Sequence, residues 1–339
     1  MPFVTGTSTD YKDLLNDLRD YIISAPAGSD WVVERDTSGG SPTQVEMIFK
    51  GNGGATEEIF WGIETYFDGG VGYYNWRLRG FTGFDTTLSF DNQPGTSGDS
   101  YIPLQNEQMT YWFFVTGRRV CMVVKTGSAY QFLYAGFIDQ YATPDEYPYP
   151  LLVMGSSYLS TVVFNSNLIA YASSVNPGTG NLSSAPAYLR DPAGAWLKVI
   201  NFTAGSTESR IGSSPGTAQV WPLCGKSTTN IPTASQSYHA NTLESRFSVK
   251  SQGGSPALTV YRSVNGTATN VAVSIPTVLL AQDPAPQHYG EIHNLYWSPL
   301  VDGVSAEDTV TDAVSGKVHR VFQNTHRTDP WCGILVTEE

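Results

Sequence analysis

Tyr73-Tyr74-Asn75-Trp76-Arg77-Leu78-Arg79 is the stretch that decides the fold class. Tyr74, Trp76 and Leu78 alternate with Asn75, Arg77 and Arg79. Successive side chains of a β-strand point to opposite faces, so this spacing puts three large apolar groups on one side and three polar ones on the other. That is a half-buried strand whose apolar face belongs to a core. The same period of two runs through Trp31–Arg35, Val45–Lys50 and Ile59–Phe67 upstream. Between the runs lie Thr37-Ser38-Gly39-Gly40-Ser41-Pro42, Gly51-Asn52-Gly53-Gly54 and Asp68-Gly69-Gly70, all of them turn chemistry. Downstream, Tyr111–Val115 and Val120–Lys125 predict a hairpin around Thr116-Gly117-Arg118-Arg119, and Tyr130–Ile138 predicts a further strand. The result is an antiparallel meander of about six or seven strands.

One helix precedes it. Tyr11, Leu14, Leu15, Leu18 and Ile22 recur at i, i+3, i+4, i+7 and i+11, which is one helical face, while Lys12, Asp13, Asn16, Asp17, Arg19 and Asp20 fill the other. Ser8 or Thr9 is the expected cap, and Ala25-Pro26-Ala27-Gly28 ends the helix. The expected fold class is therefore mostly β (α+β): an N-terminal amphipathic helix packed on an antiparallel meander sheet, followed by a loop-rich β domain.

The second domain is inferred from a change of composition. Residues 1–160 hold 28 of the 42 aromatic side chains, whereas the later half is rich in Ser, Thr, Asn, Gly and Pro. Ser173–Pro186, Gly205–Thr217 and Lys226–Ser237 are polar stretches of this kind. Short β-like pieces stand between them at Trp196–Phe202, Ala257–Val264, Val271–Leu280, Asn294–Trp297, Thr309–Val314 and Val318–Gln323. The last two flank Ser315-Gly316, read as a two-residue hairpin turn. The expected organisation is 1–160 for the helix and sheet, 161–185 for a variable linker, and 186–339 for the loop-rich β domain. No repeat with a period of tens of residues is evident, which argues against a solenoid or propeller.

Composition narrows the function. The chain has 339 residues, 15% of them charged, with 19 Lys and Arg against 31 Asp and Glu for a net charge of −12. Such a chain has little cationic surface with which to release counterions from phosphates, so nucleic acid is not the expected partner. Cys121, Cys224 and Cys332 are too scattered for a disulfide framework or a zinc site. The start, Met1-Pro2-Phe3-Val4-Thr5-Gly6, lacks a positive and an apolar region, so no secretory signal is expected. Tyr111–Val124 is broken by Gly117-Arg118-Arg119 and is too short to span a bilayer. The expectation is a soluble protein made in a cytoplasm, with no membrane insertion.

The strings that could carry chemistry are weak. Gly212-Ser213-Ser214-Pro215-Gly216 spells a nucleophile elbow, but the residue after the serine must donate its N–H to an oxyanion and Pro215 has none. Gly98-Asp99-Ser100 sits in a turn-rich loop, Asp91–Tyr101, whose Asp91, Asn92 and Asp99 lack the regular spacing of a calcium loop. His288, His293, His319 and His326 are not spaced as helical metal ligands, and Pro284 and Pro286 oppose a helix there. With so many carboxylates a glycosidase pair can always be found, so finding one carries no information. No catalytic, cofactor-binding or metal-binding residue is assigned, and no cofactor is expected.

Aromatic density is the feature left over. Residues 57–158 carry more rings than one core face needs, which points to interaction surfaces. The long segment from Tyr141 to Pro150 offers Tyr141, Tyr147 and Tyr149 as interface anchors, with Pro144, Pro148 and Pro150 to hold the rings pre-extended. The interface candidates are thus Tyr141, Pro144, Tyr147, Pro148 and Tyr149.

Several stretches resemble a family of virion structural proteins of tailed bacteriophages. They are Thr9-Asp10-Tyr11-Lys12-Asp13-Leu14-Leu15, Glu57-Glu58-Ile59-Phe60-Trp61-Gly62-Ile63, and Tyr73 through Phe84. Tyr111-Trp112-Phe113 leading into Gly117-Arg118-Arg119, and Tyr141-Ala142-Thr143-Pro144 leading into Tyr147-Pro148-Tyr149-Pro150-Leu151, continue the likeness. So do Tyr289-Gly290-Glu291, Val321-Phe322-Gln323-Asn324 and His326-Arg327-Thr328 near the end. The resemblance covers most of residues 9–155 and two shorter C-terminal pieces. It implies a phage particle component, in the tail, and no catalytic residues. The expectation is a non-enzymatic structural subunit in or near the tail (neck, tail end or baseplate), assembling as a symmetric oligomer with copies of itself and other virion proteins. The alternatives are a capsid decoration or head–tail joining protein, and a tail-fibre module that binds host surface glycan or receptor.

Overall fold

The computed structural model describes residues 2–24, 30–40, 42–53, 57–127, 129–157, 160–161, 187–199, 219–222, 275–281, 287–298, 304–323 and 333–339. Of the pieces read from the sequence, Ala257–Val264, Gly205–Thr217, Lys226–Ser237 and the linker beyond residue 161 lie outside these residues. In chain order the elements begin β1 (Phe3–Ser8), α1 (Tyr11–Ser24), β2 (Trp31–Asp36), β3 (Glu46–Gly51), β4 (Ile59–Asp68), β5 (Tyr73–Phe81) and β6 (Ser100–Ile102). Next come β7 (Met109–Val115), β8 (Arg119–Thr126), β9 (Ala129–Gln140), β10 (Leu151–Met154), β11 (Ala187–Arg190) and β12 (Trp196–Val199). The last are β13 (Gln219–Pro222), β14 (Ile275–Ala281), β15 (Gln287–Ser298), β16 (Thr309–Thr311), β17 (Val318–Gln323) and β18 (Gly333–Thr337). The described residues are mostly β, in largely antiparallel sheets, with a single α-helix among them near the N-terminus.

The helix forms on its expected residues, and its cap is a correction. Asp10, rather than Ser8 or Thr9, accepts the amides of Lys12 at 2.7 Å and Asp13 at 2.9 Å. A carboxylate there satisfies two otherwise orphaned donors and faces the positive end of the helix dipole. Tyr11, Leu14, Leu15, Leu18 and Ile22 are all buried.

The single meander is also corrected. The strands divide into a five-stranded sheet, β2-β3-β4-β5-β6, and a larger one that begins β1-β7-β8-β9-β10. Physically, one helical stripe cannot cover the apolar faces of seven strands. A second sheet covers what the helix leaves. Between the two sheets α1 packs with Trp61, Trp76 and Leu78 from the small sheet and Phe113, Met122, Leu133 and Val153 from the large one. Trp76 closes this core, donating its indole N–H to the Tyr11 carbonyl at 2.9 Å.

The other face of the large sheet is buried as well. Trp112, Phe114, Val123, Phe132, Tyr134 and Leu152 pack there against Leu189, Ile292, Phe322 and Ile334. Strands covered on both sides need no polar face, which is why Phe113-Phe114 and Val120 through Val124 are continuous apolar runs instead of alternating ones. The aromatic excess is therefore spent largely on packing, with only a few rings left at the surface. Most of the surplus rings fill a second core.

Strands from both halves of the sequence share the large sheet. Its order continues β10-β11-β12-β13-β14-β15, and β15 pairs back onto β9, so seven strands close a ring. All contacts in it are antiparallel except β12 with β13. Gly290 makes the closure possible: its φ is +153°, and a Cβ there would run into the Asp139 carbonyl oxygen. Beyond this point β15 leaves β9 and takes β18 as its neighbour, with Leu295 opposite Val336, and the sheet ends β18-β17-β16. Asn294 turns the corner at φ +54°. The β16–β17 connection is longer than the two residues expected. Asp312 N–H bonds Lys317 O at 2.8 Å, and Gly316 N–H bonds Asp312 O at 2.9 Å with Gly316 at φ +73°. The Asp312 carboxylate takes the Val314 and Ser315 amides, which opens the loop to four residues.

Candidate functional site

The segment between β9 and β10 carries the interface candidates, and the ring junction places them. Tyr141 prolongs the β9–β15 ladder, its amide bonded to Tyr289 O at 3.1 Å. Its hydroxyl donates to Glu291 Oε1 at 2.7 Å, and the ring stays 53% exposed. Burial of the hydroxyl, and then the neighbouring carboxylate, push this phenol up to about 12. Two stretches of the quoted resemblance, 150 residues apart, therefore meet in one hydrogen bond.

The prolines do not hold the rings extended. Thr143 through Tyr147 make a helical turn, with the Glu146 and Tyr147 amides bonded to Thr143 O at 3.0 Å each. Pro144 heads it, exposed, at a position where the missing N–H costs nothing. Glu146 reaches back to the Thr143 amide at 3.1 Å and hydroxyl at 3.0 Å, and these two donors hold its carboxyl below the usual range.

Turning the chain inward buries Tyr147 at 1% exposure. It donates its hydroxyl to the Arg190 carbonyl and stands edge-on to Tyr289 at 6.0 Å. Burial drives its phenol far above the ordinary value. Tyr147 is a residue of the second core, so it is unavailable to a neighbour. Pro148 is half-buried and Pro150 buried. Tyr149 returns to the surface, 39% exposed, with the Arg190 guanidinium 4.6 Å from its ring centre. Of the anchors expected, Tyr141 and Tyr149 remain presentable, each braced by a charged partner from another strand.

Two arginines that the sequence reading did not single out frame the region. Arg119, placed in a turn by that reading, stands at the head of β8 and is fully buried. It has no carboxylate partner among the described residues; instead it donates to Asn294 O at 2.8 Å, His293 O at 3.3 Å and Thr337 O at 2.7 Å. These carbonyls lie where β15 changes partner, so Arg119 pins β8 to the C-terminal strands. Arg190 ends β11. Beside them, His293 Nδ1 lies 2.8 Å from both oxygens of Asp139, and Arg118 Nε lies 3.9 Å from the same carboxylate.

Elsewhere the expected chemistry resolves into scaffolding. Ser100 of Gly98-Asp99-Ser100 is fully buried and accepts the Gly155 amide at 2.7 Å. Asp99 bonds Arg79 and accepts the Tyr101 hydroxyl at 3.0 Å, and Asp91 binds Arg77 at 2.9 Å and Arg79 at 2.7 Å. The carboxylates weighed as calcium ligands thus tie their loop to the sheet. His319 is buried with Nδ1 3.0 Å from Thr337 Oγ1, and burial lowers its pKa. The Cys121 thiol is buried and pushed up to about 12 by that burial. Gly212 through Gly216, His326, Cys224 and Cys332 lie outside the described residues. Among the described residues no three His, Cys, Asp or Glu gather as a metal site, and no helix is long and apolar enough to cross a membrane.

No family model matches the chain, and no curated protein sequence matches it.

Proposed function

We propose that the chain is a structural subunit of a tailed-phage particle, working in or near the tail, and that it acts by assembly rather than by catalysis. The sequence resemblance points to that class. One observation gives it a surface: Tyr141 and Tyr149 are held exposed on a frame that cannot collapse, because Tyr147 between them is locked into the core. Rigid, half-exposed tyrosines lose little freedom on being covered, and each brings a large ring and a polar tip to an interface. Copies meeting through such surfaces in closed symmetry fix the copy number of the assembly.

The test uses the full chain with Tyr141→Ala and Tyr149→Ala combined. Both side chains are exposed, so the variant should keep the wild-type circular dichroism and lose only a few degrees of melting temperature. Sedimentation and incorporation into particles are then compared. The expected result is a folded chain that fails to assemble. A wild-type chain that stays monomeric and joins no particle, or a variant that assembles as well as wild type, would overturn the proposal.

A further inference from the structure

We infer that Arg190 is a socket for a carboxylate brought by a second copy of this chain, with Tyr149 as its aromatic wall. The inference rests on the assembly reading above and names the charge that would direct it.

Arg190 is only 8% exposed, yet its guanidinium makes neither an ion pair nor a hydrogen bond among the described residues. Its Nε is shut off from solvent with no partner, and its one contact of note is the Tyr149 ring. The neighbouring Asp191 favours the charged guanidinium electrostatically but forms no ion pair with it, and its carboxylate takes the Ala195 amide at 2.8 Å to shape the turn into β12. No other basic residue whose side chain is described is left in this state. Arg77 and Arg79 are spent on Glu64, Asp91 and Asp99, Arg320 on Glu338, and Arg119 on three carbonyls. A buried guanidinium with no ion pair or hydrogen bond is unfavourable, and its planar fork of N–H donors matches a carboxylate in a bidentate pair.

The chain itself carries the complement. Its acidic residues number 31 against 19 basic ones, and Glu107 and Asp145 are exposed without a basic partner among the described residues. A neighbouring copy therefore offers unspent carboxylates to an unspent arginine. Two copies can meet in this way reciprocally about a two-fold axis, each arginine taking the other copy's carboxylate, or head to tail. Repeated head-to-tail contacts close into a ring when the rotation allows and otherwise run on as a filament.

The decisive comparison is full-length wild type against Arg190→Met and Arg190→Lys, by sedimentation in low and high salt with melting followed in parallel. Wild type should self-associate, less so in high salt. Arg190→Met should weaken association at least ten-fold while melting no lower than wild type, because it removes a charge that the isolated fold leaves unpaired. Arg190→Lys should fall between them, keeping the charge and losing the fork. If wild type associates and Arg190→Met associates equally, the socket falls and the assembly reading stands. If Arg190→Met melts markedly lower, the arginine is spent inside its own fold and the socket falls. If wild type does not associate at all, the assembly reading falls and takes the socket with it. Arg190-dependent binding of polygalacturonate by a monomeric chain would likewise overturn the inference, giving the site to an acidic glycan.

Discussion

Replacing Arg119 by Met tests how the two halves of the sequence are held together. The side chain is fully buried in β8 and spans to β15 and β18 through bonds of 2.8 Å to Asn294 O and 2.7 Å to Thr337 O, with a longer one of 3.3 Å to His293 O. Methionine fills similar space without donors. The two well-made bonds vanish, and each carbonyl left without its donor in the interior costs about 1–3 kcal/mol. Against this stands the relief of a buried charge, which has no carboxylate to compensate it among the described residues and whose Nε has no partner. The carbonyl dipoles already answer most of that charge, so the loss wins, and the net destabilisation is about 2–4 kcal/mol. Urea unfolding of the full chain measures it as a lowered midpoint. Hydrogen exchange locates it: amides of Ile292, Leu295 and Val336 should exchange faster, while those of Leu14 and Leu18 in the helix should not. A variant as stable as wild type, or faster exchange confined to the helix, would refute the reasoning. The contrast with Arg190→Met, expected to melt no lower, makes the pair diagnostic, since both arginines are buried and only one is spent.

Other expectations follow from the same geometry. Trp76→Ala should cost about 3–5 kcal/mol by chemical denaturation, since it empties a fully buried site between the sheets and removes the donor to Tyr11 O. Tyr147→Ala should cost a similar amount, about 3–5 kcal/mol, whereas Tyr149→Ala should cost about 1 kcal/mol or less; equal effects would contradict their opposite burial. Burial tends to raise the Glu307 pKa, but the Lys125 ammonium at 2.7 Å and the Tyr130 hydroxyl outweigh it and hold the carboxyl below its ordinary value. A depressed carboxyl contributes stability above its unfolded pKa of about 4.3 and loses it as pH falls through the folded value, so Glu307→Gln should flatten the acid limb of the stability profile. Cys121, its thiol pushed up to about 12, should resist iodoacetamide at pH 8 in the native protein and react once it is unfolded, as peptide mass spectrometry would show.

Local periodicity reports how the side chains of one segment face, and that much was legible. The alternation through Tyr74, Trp76 and Leu78 identified β5, and the stripe from Tyr11 to Ile22 identified α1, because a period of two or of 3.6 depends only on neighbours in sequence. It did not separate the capping roles of Ser8, Thr9 and Asp10, which differ only in where each side chain points. Nor did it reveal partners. That β7 pairs with β1 instead of extending the first meander, or that β15 closes onto β9, is a choice among distant segments whose loop-closure costs differ little.

The candidate site shows the same division. The sequence by itself determined that Tyr141, Tyr147 and Tyr149 share a turn-rich segment next to a buried strand. Which of them faces inward was undetermined, since a tyrosine has a body that suits a core and a hydroxyl that suits a surface. The tertiary structure decided it by supplying the Arg190 carbonyl as acceptor for Tyr147 and the Glu291 carboxylate for Tyr141. It also decided the aromatic surplus, because a strand covered on both faces buries twice what its period advertises. Burial belongs to the pairing of layers, and no single strand encodes what will lie on top of it.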